Sequence, residues 1–411
     1  MPASSDGQGL QQSQRPQFGA AVARVRVDVI VTDGGDFVDD LSPYEFVLYE
    51  DDVEQQVLGV QLVDLLDQPS DHRAGVTPAG AGAVEVIEQG TAIARAPTDL
   101  AAVVYVVNGL GAGCSGVSRF ARQWGRMYGD AAEVQVPHSV VLIDYLGYAH
   151  EIVSLTRDVN ELRSAAQKVR GKPFLGGTVE EAYAQNFTNM CSGSPVTNAA
   201  ERTFELLTAI TDALAARPGR KALVWVSPNI SMALPSVRRG KELDPFDYMR
   251  ADRVQRAFER SANSAGVSVY GVDPDLVTWH TKLTSAASSV GPVDRILANP
   301  FIGGFSAERN YLSEVSRNTG GRPFIRWSDL PKALRRVERE TARFYLLTYA
   351  PPDPPEDGEY HEIRVEVTRP GLDVRSRDGY YDIGEVERLR RAEEGRQVLQ
   401  QTGPLFENGS G

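Results

Sequence analysis

The run Ala101–Val107, AAVVYVV, constrains the fold more than any other stretch of this chain. It is unbroken, apolar, rich in β-branched and aromatic residues, and too short for a buried helix. Such a run predicts a strand covered on both faces, the centre of a parallel sheet. Asn108 and a glycine-rich loop, GLGAGCSG, follow it. Phe120, Trp124, Met127 and Tyr128 then recur at helical spacing and predict a helix with one apolar stripe. ALVWV at Ala222–Val226 and VSVYGV at Val267–Val272 predict further buried strands. Helices are predicted over Glu201–Ala216, Tyr248–Ala265 and Ala307–Arg317, and from about Ser328 with Leu330, Leu334 and Val337 inward. The fold class read from this is α/β, a doubly wound, mostly parallel sheet. In such domains ligands sit beyond the carboxyl ends of the strands. The loop Asn108–Val117 is therefore the first place to look for function.

Both ends of the chain follow a different period. Val25, Val27 and Val29 alternate with Arg24, Arg26 and Asp28, which predicts a half-buried strand. Asp33-Gly34-Gly35-Asp36 reads as a hairpin turn, and two more strands follow near Phe46–Tyr49 and Gln56–Leu65. After the α/β part, Phe344–Tyr349, Ile363–Val367 and Val374–Tyr381 again read as strands. Neither segment has enough strands to be stable alone. The simplest arrangement inserts the α/β domain between β segments that pair into a second, β-sandwich-like domain. The expected divisions are a disordered leader (1–20), a β segment (21–67), a Pro/Gly/Ala-rich linker (68–97), the α/β domain (98–342), the second β segment (343–382), and a charged helical tail without a clear apolar face (383–411).

With 411 residues, 42% of them hydrophobic, the chain can bury a sizeable core over more than one domain. Its net charge of −12 argues against nucleic acid or an anionic membrane as the main partner. No apolar run approaches the roughly 20 residues of a membrane helix, so membrane insertion is not expected. The first residues lack a charged-then-apolar signal peptide, and the polar start reads as a trimmed secreted chain or as a cytosolic leader. Two cysteines, Cys114 and Cys191, exclude a cysteine-based zinc site.

Gly111, Gly113 and Gly116 form a G-x-G-x-x-G between a predicted strand and a predicted helix. Asp144, ending the next strand, stands where a ribose-binding acid would be sought. This supports one alternative, a nucleotide-binding oxidoreductase. The first glycine sits several residues past the strand tip, and Asp144 lies farther on than the usual ~20 residues. A loop that uses glycine for backbone freedom explains the same letters. His72, His138, His150, His280 and His361 are scattered with no metal spacing. No G-x-S-x-G occurs, and Ser115 has no evident base. No catalytic residue and no cofactor is assigned.

A resemblance adds to this reading. RVDVIVTDGGDFVDDLSPYEFVLYEDDVEQQV, PGRKALVWVSPNI, GVSVYGVDP, LSEVSRNTGGRPF and FYLLTYAPP…HEIRVEV…VRSRDGYY occur in the order of blocks in proteins related to von Willebrand factor type A (VWA) domains, best known from acidobacteria. The chain resembles that family over most of its length. The resemblance implies a VWA fold, a parallel sheet wrapped by helices, flanked by β segments. Many VWA domains hold a divalent ion in a metal-ion-dependent adhesion site of pattern D-x-S-x-S, a later threonine and a later aspartate. Here Asn108, Leu110 and Ala112 align with the first three ligands and Ser227 with the last, while Thr178 alone survives. Without a carboxylate a divalent ion is held weakly, so no metal is expected. Asp273, at the next strand tip, reads as the opening of an Asp-Pro turn.

The function the resemblance implies is a non-enzymatic, extracytoplasmic (periplasmic or secreted) protein-binding or complex-assembly protein with a degenerate adhesion site. Its partner is another protein, and its binding face is drawn from 108–117, 174–194 and 275–305, with Asn108, Leu110, Ser115, Thr178, Ser227 and Asp273 as candidate residues. In a VWA fold the loops carrying Cys114 and Cys191 emerge at the same end of the sheet. A Cys114–Cys191 disulfide is therefore expected, contributing about 4 kcal/mol in the chain-entropy model.

Overall fold

The computed structural model describes residues 24–66, 101–108, 114–129, 133–144, 147–171, 199–227, 245–273, 304–324, 330–351 and 358–401. The leader (1–20), the linker (68–97) and the loops 174–194 and 275–303 lie outside the described residues. The chain opens with β1 (Val25–Asp33), β2 (Asp36–Phe37), β3 (Phe46–Glu50), β4 (Val53–Gln55) and β5 (Val57–Asp64). The middle comprises β6 (Ala101–Asn108), α1 (Cys114–Met127), β7 (Glu133–Ile143), β8 (Ala149–Asp158), α2 (Val159–Gly171), α3 (Ala199–Leu214), β9 (Arg220–Val226), α4 (Pro245–Ser264), β10 (Val267–Val272), α5 (Gly304–Asn318) and α6 (Leu330–Ala342). Last come β11 (Arg343–Tyr349), β12 (Tyr360–Val367), β13 (Asp373–Arg375), β14 (Gly379–Tyr381) and α7 (Glu385–Gln401).

The apolar run becomes the middle strand of a mixed sheet in the order β10-β9-β6-β7-β8. Three pairings are parallel, and the edge strand β8 returns antiparallel to β7. Phe324 continues the sheet beyond β10 through a parallel bridge to Val272. Every residue of β6 is buried because both faces are covered. Val103, Tyr105 and Val107 face a layer with Phe120 and Trp124 of α1, Leu162 of α2 and Leu334 of α6. Val104 and Val106 face the other layer, with Phe204 of α3, Phe258 of α4 and Val315 of α5. A strand of period two thus feeds two cores, which is why its sequence shows no polar alternation.

The terminal β segments hydrogen-bond to each other. β11 lies between β1 and β5, with Val27 opposite Leu347 and Val63 opposite Phe344. β12 pairs with β3, Val365 opposite Leu48. The result is two antiparallel sheets, β13-β1-β11-β5 with β2 attached, and β14-β12-β3-β4. Val27, Val29, Leu48, Leu347, Tyr349 and Ile363 fill one core between them. Gly34 and Gly35, at φ 56° and 104°, close the β1–β2 hairpin in the left-handed region that glycine enters without strain.

Two local readings change. The stretch 374–381 is not one strand but two, β13 pairing with β1 and β14 with β12. It crosses from one sheet to the other, and its apolar letters serve both. The charged tail helix, expected to lack an apolar face, docks α7 against α3 through buried Ala392, Gly395 and Leu399. The stripe is faint in sequence because two of its three members are small. A Cβ at Gly395 would lie 2.5 Å from the Ala209 carbonyl oxygen and 2.8 Å from the Ala213 nitrogen, both backbone atoms of α3. Gly395→Val is therefore expected to lift α7 off α3 at a cost of about 1–3 kcal/mol. Limited trypsin digestion checks this: α7 should be cut faster than in the wild type, and an unchanged rate refutes it.

Candidate functional site

Counted by their order in the chain, the strands of the central sheet run fifth, fourth, first, second, third. The chain starts in the middle, moves outward through β7 and β8, then crosses to the far side to make β9 and β10. The strand order reverses between β6 and β9, and a doubly wound sheet opens its ligand crevice beyond the carboxyl ends of those two strands. Asn108 ends β6, and Ser227 directly follows β9.

Their side chains meet there. Asn108 Nδ2 donates to Ser227 Oγ at 3.3 Å and to Thr203 Oγ1, from α3, at 3.4 Å. Asn108 and Thr203 are fully buried, and Ser227 is 1% exposed. The Ser227 N–H donates to the Val272 carbonyl at 3.0 Å, tying the end of β9 to β10. Asp273 lies at the tip of β10, its N–H 3.4 Å from the Phe324 carbonyl. Asn108 and Ser227 thus sit together, buried, at the carboxyl ends of β6 and β9, the floor of that end of the sheet. Leu110 and Thr178 lie outside the described residues, as do Cys191 and the side chains of Cys114 and Ser115.

Nothing in the sequence marks Thr203. It lies inside an amphipathic helix, and nothing local separates it from an ordinary core threonine. Only the packing of α3 across the sheet brings it to Asn108.

Asp144, the acid the nucleotide reading assigned to a ribose, is buried at 2% exposure and builds the β7–β8 turn instead. Its Oδ1 accepts from the Tyr148 N–H at 2.9 Å, and its Oδ2 meets His150 Nε2 at 2.9 Å. Arg202, next to Thr203, donates from Nε to the Gly147 carbonyl at 3.1 Å and secures the same turn. His138 is fully buried in the middle of the sheet, with Nδ1 3.0 Å from the Tyr128 hydroxyl. Burial pushes its pKa down to about 3, so it is a neutral core residue at physiological pH.

The floor offers amide and hydroxyl groups. Asn108 Nδ2 can only donate, so the two hydroxyls beside it gain no base from that atom. Among the described residues no group of three or more His, Cys, Asp or Glu side chains is arranged to hold a metal ion. No helix among them is long and apolar enough to cross a membrane.

No family model matches the chain, and no curated protein matches it. Among solved structures it is similar to the human COPII-coat protein Sec24c, at 10% identity and a TM-score of 0.29 over 69% of this chain and 44% of that one. It is similar to the TFIIH p34 N-terminal domain at 7% identity and a TM-score of 0.27, over 59% and 98%. It is also similar to the manganese-loaded TRAP protein of Plasmodium vivax at 12% identity and a TM-score of 0.30, over 68% and 93%. The chain spans less than half of the Sec24c chain. These likenesses are too distant to carry a function across.

Proposed function

We propose that the α/β part is a VWA-like domain with a degenerate adhesion site, and that the protein is a non-enzymatic, extracytoplasmic binding or assembly protein. The observation that carries this reading is the neutral cluster Asn108, Thr203 and Ser227 at the switch point of the sheet. A hard divalent cation needs anionic oxygens at that place, and a nucleophilic hydroxyl needs a base within hydrogen-bond reach. The Asn108 amide nitrogen, which donates to both hydroxyls, supplies neither. Such a cluster closes the floor of the crevice and leaves recognition to the loops above it. The family resemblance, carried by five sequence blocks in order, supports the same assignment. The partner is then a protein that contacts the loops around Asp273 without a bridging metal.

EDTA is therefore expected to change neither the melting temperature nor partner capture, because a ligand stabilises a fold only in proportion to its binding. Differential scanning calorimetry with and without Mg²⁺ or Mn²⁺ checks this. A metal-dependent rise of several degrees, abolished by Thr178→Ala, refutes the metal-free reading. For the binding role itself, capture from the native source should survive EDTA and be lost in Asp273→Arg. Stoichiometric binding of a nicotinamide or adenine nucleotide would favour an enzyme instead. Mass spectrometry of unreduced peptides tests the compartment: a Cys114–Cys191 disulfide is expected, and two free thiols count against an extracytoplasmic location.

A further inference from the structure

The opposite end of the central sheet carries a second feature. There the amino end of β9 and the turn before β10 meet the β sandwich and the start of α7 around a cleft of about 750 Å³. Small-molecule sites are about 300–1,000 Å³. Its lining holds seven Lys and Arg side chains against three Asp and Glu, in a chain whose net charge is −12. An excess of cations at one place on an acidic protein calls for a physical account.

The cations are poorly compensated. Lys221 Nζ donates to the Arg217 carbonyl at 2.6 Å, and Arg377 donates to the carbonyls of Asn263 and Arg26 at 3.2 and 2.6 Å. Arg220 has Asp28 at 3.5 Å. Carbonyls satisfy donors but do not neutralise charge. Four buried polar atoms of the lining residues have no hydrogen-bond partner: Nε of Arg217, Arg220 and Arg377, and Oγ of Ser264. An unpaired buried donor costs about 1–3 kcal/mol, more on a charged group. Burial first, then the like charges of Arg377, Arg217 and Arg388 against the opposing pull of Asp28, push the Lys221 pKa down to about 8. Lys221 Nζ and Arg377 Nη1 converge over Gly266, 4.0 and 3.9 Å from where a Cβ would stand.

An anion seated among these groups would supply the missing counter-charge and relieve the repulsion between Lys221, Arg217, Arg377 and Arg388. The guanidinium fork matches phosphate oxygens in pairs, and a dianion meets several cations better than a monocarboxylate does. The cleft is larger than a phosphate and has an apolar side at Phe344, Leu346 and Ile383. We propose that this cleft binds an organic phosphate, its phosphoryl group on Arg217, Lys221 and Arg377 and its apolar body against Phe344 and Leu346. Arg388, exposed on the first turns of α7, also lines the cleft and adds to its attraction for an anion.

Isothermal titration of the full chain tests this with phenyl phosphate, inorganic phosphate, benzoate and an oligoglutamate peptide. Phenyl phosphate should bind saturably and raise the melting temperature. Inorganic phosphate and benzoate should each bind at least about tenfold more weakly, the loss of roughly one charge-assisted contact or of the apolar body. Arg217→Gln and Arg388→Gln, both outside the hydrophobic core, should each weaken phenyl phosphate about tenfold while keeping the wild-type circular dichroism. Lack of saturable phenyl phosphate binding at millimolar concentration overturns the proposal, as does binding unchanged in both variants. Inorganic phosphate binding as tightly as phenyl phosphate overturns the role of the apolar wall. Binding of oligoglutamate or benzoate in preference to phenyl phosphate makes the cleft a carboxylate site and overturns the phosphate assignment.

Discussion

Deleting residues 343–382 is expected to unfold residues 25–64 as well, although the deletion touches none of them. β11 is the shared neighbour of β1 and β5, and β12 is the partner of β3. Without them the amino-terminal segment retains the β1–β2 and β3–β4 hairpins, and an isolated hairpin is marginal in water. The deletion also removes Phe344, Tyr345, Leu347, Tyr349, Ile363, Val365 and Tyr380, all buried. At about 1.5–3 kcal/mol for each buried side chain, that is roughly 10–20 kcal/mol as an upper estimate. A whole domain is stable by only about 5–15 kcal/mol. Two buried polar contacts go too: the hydroxyls of Tyr349 and Tyr380 both donate to the buried Glu50 Oε1, at 3.0 and 2.7 Å. Glu50 loses with them the strands that keep it out of water, so nothing holds β3 in place through that side chain. Hydrogen exchange read by mass spectrometry decides the matter. The amides of Val27–Val31 should exchange like unstructured chain, and retained protection there would show that the first β segment folds alone.

What sequence could show follows from the range over which each signal acts. The β6 run is legible because burial on both faces writes itself into every consecutive letter. The alternation of Val25, Val27 and Val29 is legible because one face of that strand is wet. Asn108 is legible at the carboxyl end of the sheet because it immediately follows a readable strand, and Ser227 because the resemblance aligns it with the last ligand position. Thr203 is not, since its role comes from a contact across the sheet rather than from its neighbours in the chain. The same holds for Asp144, whose carboxylate is consumed by a turn that only the β7–β8 register defines. The cationic cleft is the extreme case. Arg217 and Lys221 follow α3, while Arg377 and Arg388 lie near the end of the chain, and each reads as an ordinary surface charge in its own context. They converge because the terminal β segments pair and carry α7 back to α3, a long-range event with no local signature.

A second large effect is expected at Glu340, which ties the helices of the α/β part to the β sandwich. It is 7% exposed at the end of α6. Its Oε1 accepts from Arg336 Nε at 2.9 Å, and its Oε2 lies 2.7 Å from Nη2 of Arg375 on β13. The Arg375 contact is an ion pair off the line of a good hydrogen bond. Arg322, just before the Phe324 bridge, stands 3.8 Å away. Desolvation raises the Glu340 pKa, but Arg375, Arg336 and Arg322 outweigh it and hold the carboxyl below its ordinary value of 4.5. A carboxylate with a depressed folded pKa contributes stability that is complete above its unfolded pKa and is lost as the pH falls through the folded one. The wild type should therefore weaken in acid below the ordinary glutamate range, and Glu340→Gln should lack that part of the slope. Glu340→Met takes from Arg375, whose side chain is 14% exposed, its nearest counter-charge and leaves it only the exposed Asp373, a loss of up to about 3–5 kcal/mol. Removing both charges should be milder than removing one, because the main penalty is the orphaned guanidinium. Urea unfolding of Glu340→Met, Arg375→Met and the double variant measures this as a cycle. Most of the loss should return in the double variant. A single-variant loss below about 1 kcal/mol, the value of an exposed pair, would mean that the cluster is solvated and that the two halves are held together by the strand pairings and apolar packing alone.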